Sequence, residues 1–134
     1  MWSILLATVY LYSCSGTPAN DKVDHIVKQF EKDTGVKVEN TLIYFTKLEG
    51  KAVGRCFPAV KIIQLDLEFY NNASTISKKA LVYHELGHCV CNIMKHAKEG
   101  TFCGDSLMTP TMQDDWCYRT KWNLYIKDLK ERCK

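Results

Sequence analysis

The stretch His84-Glu85-Leu86-Gly87-His88 constrains this chain more than any other. Two imidazoles four residues apart meet on one side of a helix, ~6 Å apart, so the spacing demands helical backbone. The segment around them, residues 74–93, supports that. Ile76, Ala80, Leu81 and His84 fall near one side, and Ser74 or Thr75 is a plausible cap. Glu85 sits ~100° round the helix. It is badly aimed to join the histidines as a ligand, but it can reach a water held at an ion between them. Zinc suits this set: neutral imidazoles leave it strongly Lewis acidic, and it lowers the pKa of water to ~7. A carboxylate then serves as general base and passes the proton to a leaving amine. The expectation is zinc-dependent hydrolysis of an amide bond, with His84 and His88 as metal ligands and Glu85 as the catalytic base. The bland alternative is a surface helix that carries two histidines by accident. The uncharged neighbours Val82, Tyr83, Cys89 and Val90, and the absence of proline, count against it.

A catalytic zinc usually takes three protein ligands and keeps one position open. The chain has four histidines, and His25 lies in a separate segment where a surface role is expected. His96 is therefore the leading candidate. If the helix ran on, His96 would lie ~12 Å along the axis from His88, too far to share an ion. The helix must end between Cys91 and Met94 and turn back, and Asn92 tolerates the left-handed conformation such a turn needs. Cys91 is on the same stripe but ~10 Å along the axis from His84. Glu99, Asp105, the Asp114-Asp115 pair, or an incomplete site remain open alternatives.

The rest of the chain sets the frame. At 134 residues it is one domain at most, and 46% hydrophobic content is enough for a core. A net charge of +3, with scattered basic residues, excludes a nucleic-acid partner. Residues 21–35 read as a helix with Val23, Ile26, Val27 and Phe30 at helical spacing and Gly35 as its stop. Residues 36–45 read as a strand. A second strand is expected over 60–65, at a sheet edge because Pro58 stands at its start. Residues 98–110 read as a loop, and 113–134 as a helix with Trp122, Tyr125, Ile126 and Leu129 at core spacing. This order predicts an α+β domain.

Residues 1–20 stand apart as a signal-like segment and tether, leaving 21–134 as the domain. Ile4 to Tyr12 is apolar and too short to span a bilayer, which needs ~20 residues, but it suits a secretory signal. No Lys or Arg precedes it. Leu11 to Cys14 resembles a lipobox, so Cys14 is a candidate site of lipid attachment and membrane anchoring. Plain secretion and a buried first strand are the alternatives. Residues 15–20 read as a flexible tether. Setting Cys14 aside leaves six cysteines, Cys56, Cys89, Cys91, Cys103, Cys117 and Cys133, an even number that fits disulfides in an exported protein. Cys117 and Cys133 should not pair if one helix joins them, because ~24 Å would separate them.

Four motifs together carry a family resemblance: Gly54-Arg55-Cys56, Ile63-Gln64-Leu65-Asp66, His84 to Cys89, and Ser106 to Pro110. Over residues 40–112 the chain resembles the metzincin-type zinc metallopeptidases, above all minimal matrixin-like ones from bacteria and phages. The resemblance implies a small zincin domain: a mixed sheet with an edge strand over the HExxH helix, a Met-turn loop and a C-terminal helix. It implies that Met108 is the methionine of the turn beneath the metal. It also implies that the strand over 60–65 is the edge that pairs with an extended peptide or protein substrate, and that Cys56 bridges to Cys89. The chain would act as a monomer. It departs from the family in one place. Metzincins put a glycine three residues after the second histidine and a ligand three further on, where this chain has Cys91 and Met94; His96 comes two residues later. Two other functions compete: a metzincin-like binding or scaffold module with a structural or degenerate metal site, and a cysteine-rich exported domain without metal.

Overall fold

The structure, a computed structural model, describes residues 17–100 and 102–133. Its elements, in chain order, are β1 (Thr17–Pro18), α1 (Asn20–Thr34), β2 (Leu42–Thr46), β3 (Gly54–Phe57), β4 (Ile62–Asp66), α2 (Leu67–Asn72), α3 (Thr75–Cys89) and α4 (Asp115–Arg132). The domain is α+β, as expected, with four helices and one small mixed sheet ordered β1-β2-β4-β3. β2 and β4 are parallel; β1 and β3 run antiparallel to their neighbours.

Register explains which sheet face is dry. Ile43 pairs with Ile63 and Phe45 with Leu65, and all four are buried. Cys56 and Gly54 continue those two rows onto β3. Val23, Ile26 and Phe30 of α1 and Ala80, Leu81 and Leu86 of α3 are buried in the same core. Burying such a side chain contributes ~1.5–3 kcal/mol. α1 ends where Gly35 takes φ 76° and its N–H donates to Glu31 O. Tyr83 joins three helices: its ring meets Phe30 of α1 edge-on and Trp122 of α4, each at 5.3 Å.

Three disulfides tie the fold together. Cys56 of β3 bonds Cys89 at the end of α3, Cys91 bonds Cys133 after α4, and Cys103 of the long loop bonds Cys117 on α4. All six expected cysteines are paired, and Cys117 and Cys133 have different partners. A chain so cross-linked belongs in an oxidising environment. Among the described residues no helix is long and apolar enough to cross a membrane. Cys14 lies outside the described residues.

Several expected elements are corrected. The strand of residues 60–65 is two features. Pro58 to Lys61 form a tight turn, closed by Val60 N–H to Phe57 O and Lys61 N–H to Pro58 O, with Lys61 at φ 51° and Val60 62% exposed. The strand itself begins at Ile62 and is interior, so it is not the edge; β3 is. Residues 36–41 form no strand, because Val38 N–H is taken by the Glu31 carboxylate. The tether does not reach residue 20. Thr17 and Pro18 already pair with β2, and Ala19 is fully buried.

α2 was not foreseen. Asp66 makes it: one carboxylate oxygen accepts from Phe69 N–H at 2.8 Å, capping the helix, and the other accepts from Leu48 N–H at 2.9 Å. These N–H donors hold the carboxyl below its ordinary value of 3.8. We expect Asp66→Ala to destabilise the fold by about 1–2 kcal/mol at pH 7, the usual size for a lost cap and hydrogen bond. Because the folded pKa is depressed, this contribution is present above the ordinary carboxylate pKa and lost as pH falls through the folded value. Urea melts of both proteins at pH 7 and at pH 2.5 check it. A gap that does not narrow in acid would contradict the assignment.

Candidate metal centre

α3 is built to hold its histidines still. Ser74 caps it by accepting from Ser77 N–H at 3.2 Å, and the hydroxyls of Ser74 and Ser77 donate to Asp115 of α4 at 2.8 and 2.7 Å. The far end opens by stages. Val90 N–H and Cys91 N–H both donate to Leu86 O, and Ile93 N–H donates to Gly87 O, so the loops widen from four to six residues. Asn92 then takes φ 55° and the chain reverses, as its left-handed tolerance led us to expect. Ala97 N–H donates to Met108 O at 2.8 Å, which ties the returning strand of chain to the Met108 loop.

This turn carries His96 back onto His84 and His88. His88 Nε2 lies 3.1 Å from His84 Nε2 and 3.0 Å from His96 Nε2, and the ligand atoms of all three lie within 4.8 Å of one another. The opposite ring nitrogens are committed: His84 Nδ1–H donates to Leu107 O at 2.7 Å and His88 Nδ1–H to Ile93 O at 2.6 Å. A carbonyl can only accept, so in the neutral rings the proton is on Nδ1 and the lone pair is on Nε2. Lone pairs facing each other at 3.1 Å repel unless a cation lies between them. Tetrahedral coordination at 2.0–2.1 Å puts ligand nitrogens about 3.3 Å apart, near the separations found. Burial pushes His84 down to about 4 and lowers His88, which keeps both rings neutral, as ligands must be. The three histidines can hold a metal ion.

Three of the other proposed ligands are engaged elsewhere: Glu99 accepts from Thr111 Oγ1, Asp105 pairs with Lys121, and Asp115 takes the two serines. Asp114 stands at the N-cap of α4 with no side-chain cap hydrogen bond, and it is not part of the histidine cluster. Cys91 is in a disulfide, and His25 is exposed on α1.

Glu85 is 4% exposed and opens onto the same cleft as the histidines, a space of about 490 Å³ between β3, α3 and residues 109–112. Its carboxylate has no hydrogen-bond partner among the described residues, and burial pushes its pKa up to about 8. Burial raises the affinity of this carboxylate for a proton, so its ionised form, which a cation held by the histidines would favour, is the stronger base. Met108 is fully buried beneath α3, where Gly87 makes room for it: a Cβ on Gly87 would stand 2.5 Å from Met108 Sδ. The methionine thus packs against the helical turn between His84 and His88.

Gly54 is a site residue that the motif contained but did not explain. A Cβ there would stand 2.8 Å from Glu85 Cδ and 2.9 Å from Cγ, and would collide with Oε1. β3 can cover the carboxylate only because this residue has no side chain. On the expectation of a zinc-dependent peptidase with Glu85 as its base, Gly54→Ala should leave zinc content unchanged while lowering hydrolysis by about 10²-fold, the scale of an ~1 Å misplacement of a reacting group. Metal analysis beside peptide turnover checks it, and full turnover would refute the close fit. The carbonyls of Leu107 and Ile93, which orient the rings, were equally unforeseen; no side chain announces them.

No family model, no curated protein and no solved structure matches this chain.

Proposed function

We propose that the protein is a zinc endopeptidase with a metzincin-like fold. One observation carries the reading: three imidazole Nε2 atoms converge in a cleft whose only acidic side chain is the buried, unpartnered Glu85. The resemblance over residues 40–112 points the same way. His84, His88 and His96 would hold the ion. Zinc bound there supplies Lewis acidity, which lowers the pKa of water and polarises a carbonyl. Glu85 takes the proton of the attacking water and delivers it to the leaving amine. Leu107 O and Ile93 O fix the tautomers of two ligands. The edge strand β3 lines the cleft and offers its outer backbone groups to an extended peptide. Export belongs to the same proposal: three disulfides fit it, and Cys14 is the candidate for a lipid anchor, testable by labelled fatty-acid incorporation in wild type and Cys14→Ser.

The reading is tested on purified protein by zinc stoichiometry and by hydrolysis of a quenched peptide library. One zinc per chain with chelator-sensitive cleavage is the expected result. Zinc without cleavage would turn the protein into a metal-bearing scaffold, and no zinc would leave a disulfide-rich domain without a centre.

A further inference from the structure

The backbone of β3 alternates, and its phase is known. Asp66 N–H donates to Val53 O at 2.8 Å, and Arg55 faces Gln64 in the same register. In an antiparallel ladder the groups of one residue point to one side and those of the next to the other. Val53, Arg55 and Phe57 therefore turn their N–H and C=O toward β4, and Gly54 and Cys56 turn theirs to the free edge. A peptide strand added at that edge would bond to Gly54 and Cys56. The peptide residue across from Arg55 would fall in a non-hydrogen-bonded pair, where Cα atoms are only ~4.5 Å apart and side chains are closest.

Arg55 is exposed, lines the cleft and has no ion pair or hydrogen bond from its side chain among the described residues. The other cleft cation, Lys51, precedes β3 and so has no place on its free edge; it also lines a neighbouring hollow with Lys47, Glu49, Asp66 and Glu68. Glu85, the one acid on the cleft walls, is buried on the α3 side, whereas Arg55 lies in the Gln64 row on the opposite face of the sheet. The other cleft walls are mostly apolar, with Val53, Phe69, Leu81, Pro110 and Met112 beside Thr109 and Thr111.

We propose that Arg55 is a specificity-determining residue that selects peptides with an acidic side chain at the position paired across from it on the free edge of β3. This rests on the endopeptidase reading for its substrate. The flanking peptide residues point to the opposite face, into the apolar cleft. The preferred substrate is therefore an extended segment with one Asp or Glu between apolar neighbours.

The test uses zinc-loaded protein and a quenched peptide series in which each position carries Glu, Gln or Lys in turn. Wild type should prefer Glu over Lys at a single position by about fivefold in kcat/KM, mostly through KM, the size of an exposed cross-strand charge pair. Arg55→Gln should level that preference and Arg55→Glu should reverse it, with other positions unchanged. In 1 M salt, where the screening length is ~3 Å, the preference should shrink. Cleavage with no charge preference at any position, or a preference that survives Arg55→Glu, overturns the inference and leaves the endopeptidase reading standing. Absence of any hydrolysis overturns the endopeptidase reading instead. Fluorescence anisotropy of the Glu and Lys peptides then decides the docking claim, and equal binding sinks it.

Discussion

On the proposed function, Glu85→Gln is expected to leave the protein folded and loaded with zinc but to abolish peptide hydrolysis. The amide matches the carboxylate in size, so the packing around a side chain only 4% exposed is kept. It also removes a charge that burial disfavours, so the change costs the fold little. On the proposed mechanism, what disappears is the proton acceptor beside the attacking water. Removing a general base costs ~10² to 10⁴ in rate. Metal content by mass spectrometry, thermal melts and turnover on the same preparation separate the three effects. Unchanged turnover would remove Glu85 from the chemistry.

His96→Ala should lower zinc affinity about as much as His88→Ala does, and turnover with it. Changing a residue that merely orients a zinc ligand costs ~10- to 100-fold in affinity, so losing a ligand should cost at least that. The variant is informative because His96 is exposed and no core packing depends on it. The turn that carries it is held independently by the Cys91–Cys133 bond and by Ala97 N–H to Met108 O. A fall in zinc affinity can therefore be read as a lost ligand, not a lost fold. Competition with a chromophoric chelator measures it. Full zinc occupancy and activity in His96→Ala would mean that the ion lies elsewhere.

The histidine cluster was legible in the sequence because its determinants are local. The i, i+4 histidines, the Ser74 cap and the Asn92 turn each act within a few residues. His96 could be placed as the leading candidate because a turn near Asn92 would bring it back to the other two imidazoles, whereas a helix continued through Lys95 would have left it in solvent. The sheet was harder. Val60 carries a strand former's side chain, yet it sits in a turn imposed by Pro58 and by Lys61 at positive φ. Val36 and Val38 look like strand, but α1 captures that backbone through Glu31. α2 depends on a single carboxylate that also binds Leu48, a partner 18 residues away that no local window contains. β3 has only four residues, two of them chosen for close approach: Gly54 for Glu85 and Cys56 for its bond to Cys89. Such residues answer to tertiary neighbours, so their types carry little strand signal.

The bond between Cys91 and Cys133 also sets an order of events. Cys133 follows the Met108 loop and α4 in the chain, 42 residues after its partner. During synthesis the turn that presents His96 is made early, but it receives its covalent anchor only after α4 has emerged and met an oxidant. Closing a loop of that length restricts the unfolded chain by about 4 kcal/mol in the chain-entropy picture. A nascent or reduced chain would hold its third imidazole loosely, and the centre would mature last. On the proposed function, peptide cutting would then wait for the oxidising conditions in which the cysteines pair.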